Sequence, residues 1–148
     1  MAAPSLKTSR LLLRQWHDKD LPLFATMNAD PQVMEFFPAP LDKRASDELV
    51  FTIQANLKTS LFGLWAVEIL DVARFAGFIG LSVPRLEAPF MPAIEIAWRL
   101  ALEYWGEGYA TEGAQAVLKY GFEVLKLPEI IAFTAAINLR SIRVMQRI

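Results

Sequence analysis

The stretch Ala93 to Gly113, AIEIAWRLALEYWGEGYATEG, joins a strand-like run to a glycine-containing turn and the opening of a helix, and it limits the folds open to this chain. Ile94, Ile96 and Trp98 fall on one side of a period-two pattern and Glu95, Ala97 and Arg99 on the other, as a strand requires. After Leu100 the alternation stops. Trp105-Gly106-Glu107-Gly108-Tyr109-Ala110-Thr111 then precedes a helical pattern with Ala114, Val117, Leu118, Gly121, Phe122 and Leu125 on one face. Glycines let backbone N–H groups approach a ligand closely. The unpaired amides of a helix start, together with a macrodipole equivalent to about half a positive charge, favour phosphate or pyrophosphate there. A plain glycine turn is one alternative and a Rossmann dinucleotide site another. In the Rossmann arrangement the first glycine follows the strand directly and an acid closes the next strand. Here Ala101 to Trp105 intervene, and Glu129 stands at the start of the next strand-like run, which counts against a dinucleotide.

With 148 residues, 54% of them hydrophobic, the chain suits one domain with a full core. A formal net charge of −1 gives no electrostatic reason to expect nucleic acid or an anionic membrane as a partner. The chain has no cysteine, which excludes disulfides, thiolate metal sites and a cysteine nucleophile, and its single histidine, His17, cannot build a multi-histidine metal site. No metal is expected. Met1 to Arg10 lacks an apolar core of signal-peptide length, and no run nears the ~20 residues of a membrane span, so a cytoplasmic enzyme or binding domain is expected.

In chain order, Arg10 to Trp16 reads as a first strand. Asp18 or Asp20 can cap a short helix that Asn28-Ala29-Asp30-Pro31 breaks. Val33, Met34, Phe36 and Phe37 form an apolar cluster before Pro38-Ala39-Pro40. Ser46 reads as the next N-cap, of a helix with Val50, Ile53 and Leu57 on one face that ends near Lys58. Leu64 to Leu70 and Phe75 to Val83 pair as a hairpin across Asp71 to Arg74, and Pro84 to Pro92 form a proline-rich loop. Past the central helix, Ile130 to Ala135 reads as a strand and Asn138 as the cap of a last helix. That helix reaches Ile148 without a stop signal, so a further C-terminal piece is expected.

The order of these elements resembles the GCN5-related N-acetyltransferase (GNAT) fold, and the chain is similar to its RimJ/RimL type. The resemblance rests on Thr8 to Arg14, Ala76 to Leu81, Glu95 to Leu100, Trp105 to Glu112 and Asn138 to Ser141, and it spans nearly the whole chain. It implies a mixed α/β (α+β) domain with a central, mostly antiparallel sheet flanked by helices, lacking the usual C-terminal hairpin. Acetyl-CoA is the implied co-substrate, held in a cleft beside the central strand. Trp98, Arg99 and Leu100 would lie along the pantetheine arm. The pyrophosphate would sit on the amides of Trp105, Gly106, Glu107, Gly108, Tyr109, Ala110 and Thr111. Where the family signature opens with Gln or Arg, this chain has Glu103. The implied acceptor is an amine, either a protein N-terminus or a small molecule. If the hairpin is absent, a second copy in a homodimer is one way to cover the exposed sheet edge.

Transfer of an acetyl group to an amine needs a neutral amine, and α-amino and lysine amines hold their protons up to pH about 8 and 10.4. Glu95 is the first candidate general base, and a strand carboxylate satisfied by solvent or an arginine is the structural alternative. Ser141, one turn into the last helix, could protonate the leaving thiolate or simply cap. Asn138 could touch the CoA arm as well as cap. Arg140 and Arg143 are candidates for the 3′-phosphate, Phe36, Phe37 and the Leu86 to Met91 loop for the acceptor side. A non-catalytic acyl-CoA-binding module is the rival reading, as is a truncated chain without activity.

Overall fold

The computed structural model of the chain describes residues 2–84 and 93–148. Five strands form one antiparallel sheet in sequence order: β1 (Leu6–Lys7), β2 (Leu11–Arg14), β3 (Leu64–Ile69), β4 (Ala73–Ser82) and β5 (Glu95–Leu100). The helices are α1 (Asp20–Ala29), α2 (Lys43–Thr59), α3 (Tyr109–Lys119) and α4 (Leu139–Arg147). None is long and apolar enough to cross a membrane among the described residues.

Alternation places the helices. On β4, Phe78 meets the ring of Phe24 from α1, and its neighbour Ile79 lies against Gly113 of α3, so the helices cover opposite faces of the sheet. On the α1 side Trp16, Phe24, Phe75 and Phe78 form an aromatic cluster with centroids 5.0 to 6.1 Å apart, edge-to-face except for the tilted Trp16–Phe75 pair. On the other side Trp65 packs edge-on against Tyr120. One cross-strand row of the α1 face runs Arg14, Ala66, Phe78, Arg99.

The hairpin of β3 and β4 forms as expected, but four local expectations do not hold. Asp18 does not cap α1, and neither does Asp20. Its buried carboxylate instead takes both Arg14 Nη atoms, at 2.8 and 3.1 Å, and the His17 N–H. Ser46 does not cap α2: Asp42 does so four residues earlier by accepting from the Ala45 N–H at 2.8 Å. That earlier start also forms the Lys43–Asp47 and Arg44–Glu48 pairs at i,i+4. Phe122 is exposed rather than inward, because Tyr120–Val124 widens into a π turn whose extra residue shifts the face. Tyr120 takes the inner place and its hydroxyl donates to the Leu61 carbonyl. Finally, Ile130 to Ala135 is not a strand; Ile131 alone makes a parallel bridge, to Glu95.

Candidate active site

The single bridge opens the sheet. Ile96 N–H donates to the Ile131 carbonyl at 2.8 Å and Ile131 N–H to the Ile94 carbonyl at 2.9 Å, and beyond them the two segments part. On the inner side Ala101 N–H bonds the Ala76 carbonyl, so odd-numbered residues face β4 and even-numbered ones face outward. Trp98 therefore presents its N–H and C=O to an open cleft, and the Leu100 carbonyl is taken by Trp105 Nε1 at 2.9 Å. The cleft holds about 720 Å³ between β5, the glycine turn, α4 and the segment Gln32 to Phe37.

All but one of the site residues expected from sequence line this cleft: Glu95, Trp98, Arg99, Leu100, Trp105, Gly106, Gly108, Tyr109, Ala110, Thr111, Asn138, Ser141 and Arg143. Glu107 does not line it, and its carbonyl accepts from Arg10 Nη1 at 2.9 Å. Glu103, the acid at the start of the signature, is exposed in a 3₁₀ turn and does not line the cleft either. The Leu86 to Met91 loop lies outside the described residues.

Two left-handed glycines shape the turn, Gly106 at φ 80° and Gly108 at φ 82°, the latter capping α3. A side chain in that region costs about 1–2 kcal/mol. The first intrahelical bond comes from Glu112 to the Gly108 carbonyl, so the N–H groups of Tyr109, Ala110 and Thr111 have no partner within the helix. Such an end on an eleven-residue helix can hold an anion.

A strap from the far edge of the sheet holds this turn. Glu112 accepts from Thr8 Oγ1, from the Arg10 N–H at 2.9 Å and from Arg10 Nε at 2.7 Å. The Arg10 guanidinium also lies 4.5 Å from the Tyr109 ring centroid. Burial pushes the Glu112 carboxyl up, but the Thr8 and Arg10 hydrogen bonds and the Arg10 charge outweigh it and hold it below its ordinary value. A lowered carboxyl contributes stability that is present above the unfolded-state value and lost as pH falls through the folded one. Because Arg10 is partly exposed, Glu112→Gln is expected to cost only about 1 kcal/mol at pH 7. Urea unfolding should show the difference from the parent shrinking as the pH falls below the ordinary carboxylate range; a difference that grows in acid would contradict this reading.

Glu95 sits at the start of β5, where Ser82 Oγ donates to its carboxylate at 3.1 Å. Burial raises its pKa above the ordinary value and the Ser82 bond only partly opposes the rise. Asn138 is committed at both ends: Oδ1 accepts the Ser141 N–H at 3.3 Å, and Nδ2 donates to Thr134 Oγ1 at 3.1 Å. Its capping reading thus holds. Arg140 lies 4.5 Å over Trp105 and ties α4 to the turn, while Arg143 is exposed at the cleft.

The sequence reading missed two features. Thr8, Arg10 and Glu112 were legible as motifs, but partners about a hundred residues apart carry no local signal of pairing. Arg99 was placed by its backbone alone. Its side chain turns to the α1 face, where Nη1 donates to Asn28 Oδ1 at 2.8 Å.

A sheet splayed beside a glycine turn defines a protein that can hold an extended arm along a strand and phosphates at a helix end. Comparison with known proteins agrees: the family model described as an acetyltransferase (GNAT) domain matches residues 10–148. The chain belongs to the GNAT acetyltransferase family. It is 34% identical to the uncharacterised protein YkkB of Bacillus subtilis, covering 99% of this chain and 85% of that protein. It is also 34% identical to the FsC-acetyl coenzyme A-N(2)-transacetylase of Aspergillus fumigatus, over 97% of this chain but 63% of that protein. An Agrobacterium tumefaciens acetyltransferase crystal structure superposes with a TM-score of 0.84 at 27% identity, covering 99% of this chain and 83% of that one.

Proposed function

We propose that this protein transfers the acetyl group of acetyl-CoA to a primary amine by direct attack, in the cytoplasm. The observation that carries the reading is the unpaired backbone edge at Trp98 beside the anion-binding end of α3. The edge suits the amide groups of a pantetheine arm and the helix end a pyrophosphate. Glu95 removes a proton from the amine, directly or through water, and the neutral nitrogen attacks the thioester carbonyl. Outward N–H groups of β5 stabilise the oxyanion. The tetrahedral intermediate collapses with loss of the C–S bond; Ser141 gives its proton to the CoA thiolate and regains one from the acylated nitrogen, directly or through water, which leaves a neutral amide and a free thiol. The half-buried Glu95, its pKa raised and its carboxylate at the cleft, favours this reading over a non-catalytic acyl-CoA-binding module, which needs no such group. The name of the Aspergillus relative, an N(2)-transacetylase, supports nitrogen as the acceptor. The acceptor amine belongs either to a protein N-terminus, as the resemblance to the RimJ/RimL type suggests, or to a small molecule.

The test mixes the protein with acetyl-CoA and a panel of primary amines, and follows free thiol and product mass. Amine-dependent thiol release with an acetylated amine is expected. Thioester loss no faster than without protein, for every amine, would leave the binding module as the better account.

A further inference from the structure

Arg14 and Arg99 end the same cross-strand row on the same face of the sheet, yet their surroundings differ. Arg14 meets two carboxylates, Asp20 at 2.8 Å and Glu68 at 3.2 Å. Arg99 meets none among the described residues. Its Nη1 bonds the neutral amide of Asn28, and its Nε is buried without any partner. The guanidinium lies over the ring of Phe37 at 4.5 Å and over that of Phe78 at 5.1 Å. Burial lowers its pKa to about 10, which leaves it charged at neutral pH.

Desolvating a cation without a counter-ion is costly, and an amide with two ring faces offsets only part of that cost. The mount is nonetheless built. Asn28 and Ser46 are fully buried, and Asn28 Nδ2 donates to Ser46 Oγ at 3.1 Å, which fixes the amide oxygen toward Arg99. Phe37, Glu95 and Arg99 all line the cleft, and Glu35, the other carboxylate lining it among the described residues, makes no ion pair with Arg99. Glu95 and Arg99 share one face of β5 with only Ala97 between them, roughly 13 Å apart along the strand. An acid and an unpaired base so arranged fit the two ends of one small molecule.

We propose that Arg99 binds a carboxylate of the acceptor, so that the amine acetylated here belongs to a molecule that also carries a carboxylate, with Glu95 at its amino end. This rests on the acetyl-transfer reading and names the acceptor class for it. A guanidinium fork recognises a carboxylate with paired N–H donors, and the neutral amide or ester of the same molecule loses that contact.

Thiol release from acetyl-CoA is measured with a series of amino acids of increasing amine-to-carboxylate spacing, each paired with its methyl amide, and with spermidine as a cationic probe. In the parent, at least one acid is expected to exceed its amide more than tenfold in kcat/KM. Two variants then test the residue. Arg99→Gln removes the charge. Asn28→Asp keeps the shape and accepts from Ser46, but gives Arg99 a counter-ion within the protein. In both, the acid-to-amide ratio is expected to fall to within about twofold, while Asn28→Asp binds CoA as the parent does in calorimetry. Acids and amides used equally by the parent, a preference for spermidine, or a ratio that survives both variants would overturn the proposal. So would a parent that binds CoA and acetylates no carboxylate-bearing amine, with the cofactor site left standing. Failure of the parent to bind CoA would instead bring down the acetyl-transfer reading as well.

Discussion

Glu95→Gln is expected to lower kcat for acetyl transfer by roughly two to four orders of magnitude, the range of a lost general base. The amide keeps the shape and can still meet Ser82 Oγ, so CoA binding should change little. The parent's rate should rise with pH along a limb whose midpoint lies above the ordinary carboxylate value, because burial outweighs the Ser82 bond. Ser82→Ala removes the opposing bond and should move that limb further up, whereas Glu95→Gln should lack it. Stability should move the other way. A carboxyl whose folded pKa is raised contributes stability below its unfolded value and loses it as pH rises through the folded one. Once ionised, the half-buried Glu95 is therefore a cost to the fold, and above its folded pKa Glu95→Gln should be at least as stable as the parent. A variant with undiminished kcat would remove Glu95 from the mechanism.

Asp20→Ala is expected to cost about 3–5 kcal/mol of stability, the range for removing one partner of a buried ion pair. Its carboxylate is fully buried and accepts from both Nη atoms of Arg14 and from the His17 N–H. Burial alone would lower the Arg14 pKa, but the bonds and charges of Asp20 and Glu68 hold it above its ordinary value. Without Asp20 the guanidinium keeps only Glu68, at 3.2 Å and partly exposed, and two backbone carbonyls. Denaturant unfolding measures the loss. A cost below 1 kcal/mol would mean that water reaches Arg14 in the variant.

Where the sequence carried a local pattern, it read well. Even without strict alternation, the apolar runs Leu64 to Leu70 and Phe75 to Val83 marked the β3–β4 hairpin to within two residues at each end, because helices bury both faces of these central strands. The glycine turn was legible too, since left-handed backbone at Gly106 and Gly108 tolerates little else. Competition between equally good local solutions was not legible. Asp42 and Ser46 are both sound caps, and the choice fell to side-chain pairs one turn further on and to the burial of Ser46 against Asn28. The run Ile130 to Ala135 has the β-branched and aromatic content of a strand, but pairing needs a neighbour, and β5 turns away after Ile131. That departure from the pattern is what opens the cleft. Arg99 shows the same limit: its position on the strand was readable, and its lack of a carboxylate partner among the described residues was not.

Calorimetric titration of CoA and acetyl-CoA into the parent and into Gly106→Asp bears most directly on whether the glycine turn holds the cofactor's phosphates. No atom lies within 4 Å of a Cβ built at Gly106, so the fold has room for the side chain. Aspartate also tolerates left-handed backbone better than most residues. The substitution thus acts chiefly by placing a negative charge where phosphate oxygens are expected. Micromolar binding by the parent and at least hundredfold weaker binding by a folded variant are expected. Equal affinity of the two, or no binding by the folded parent, would contradict a phosphate site at this turn.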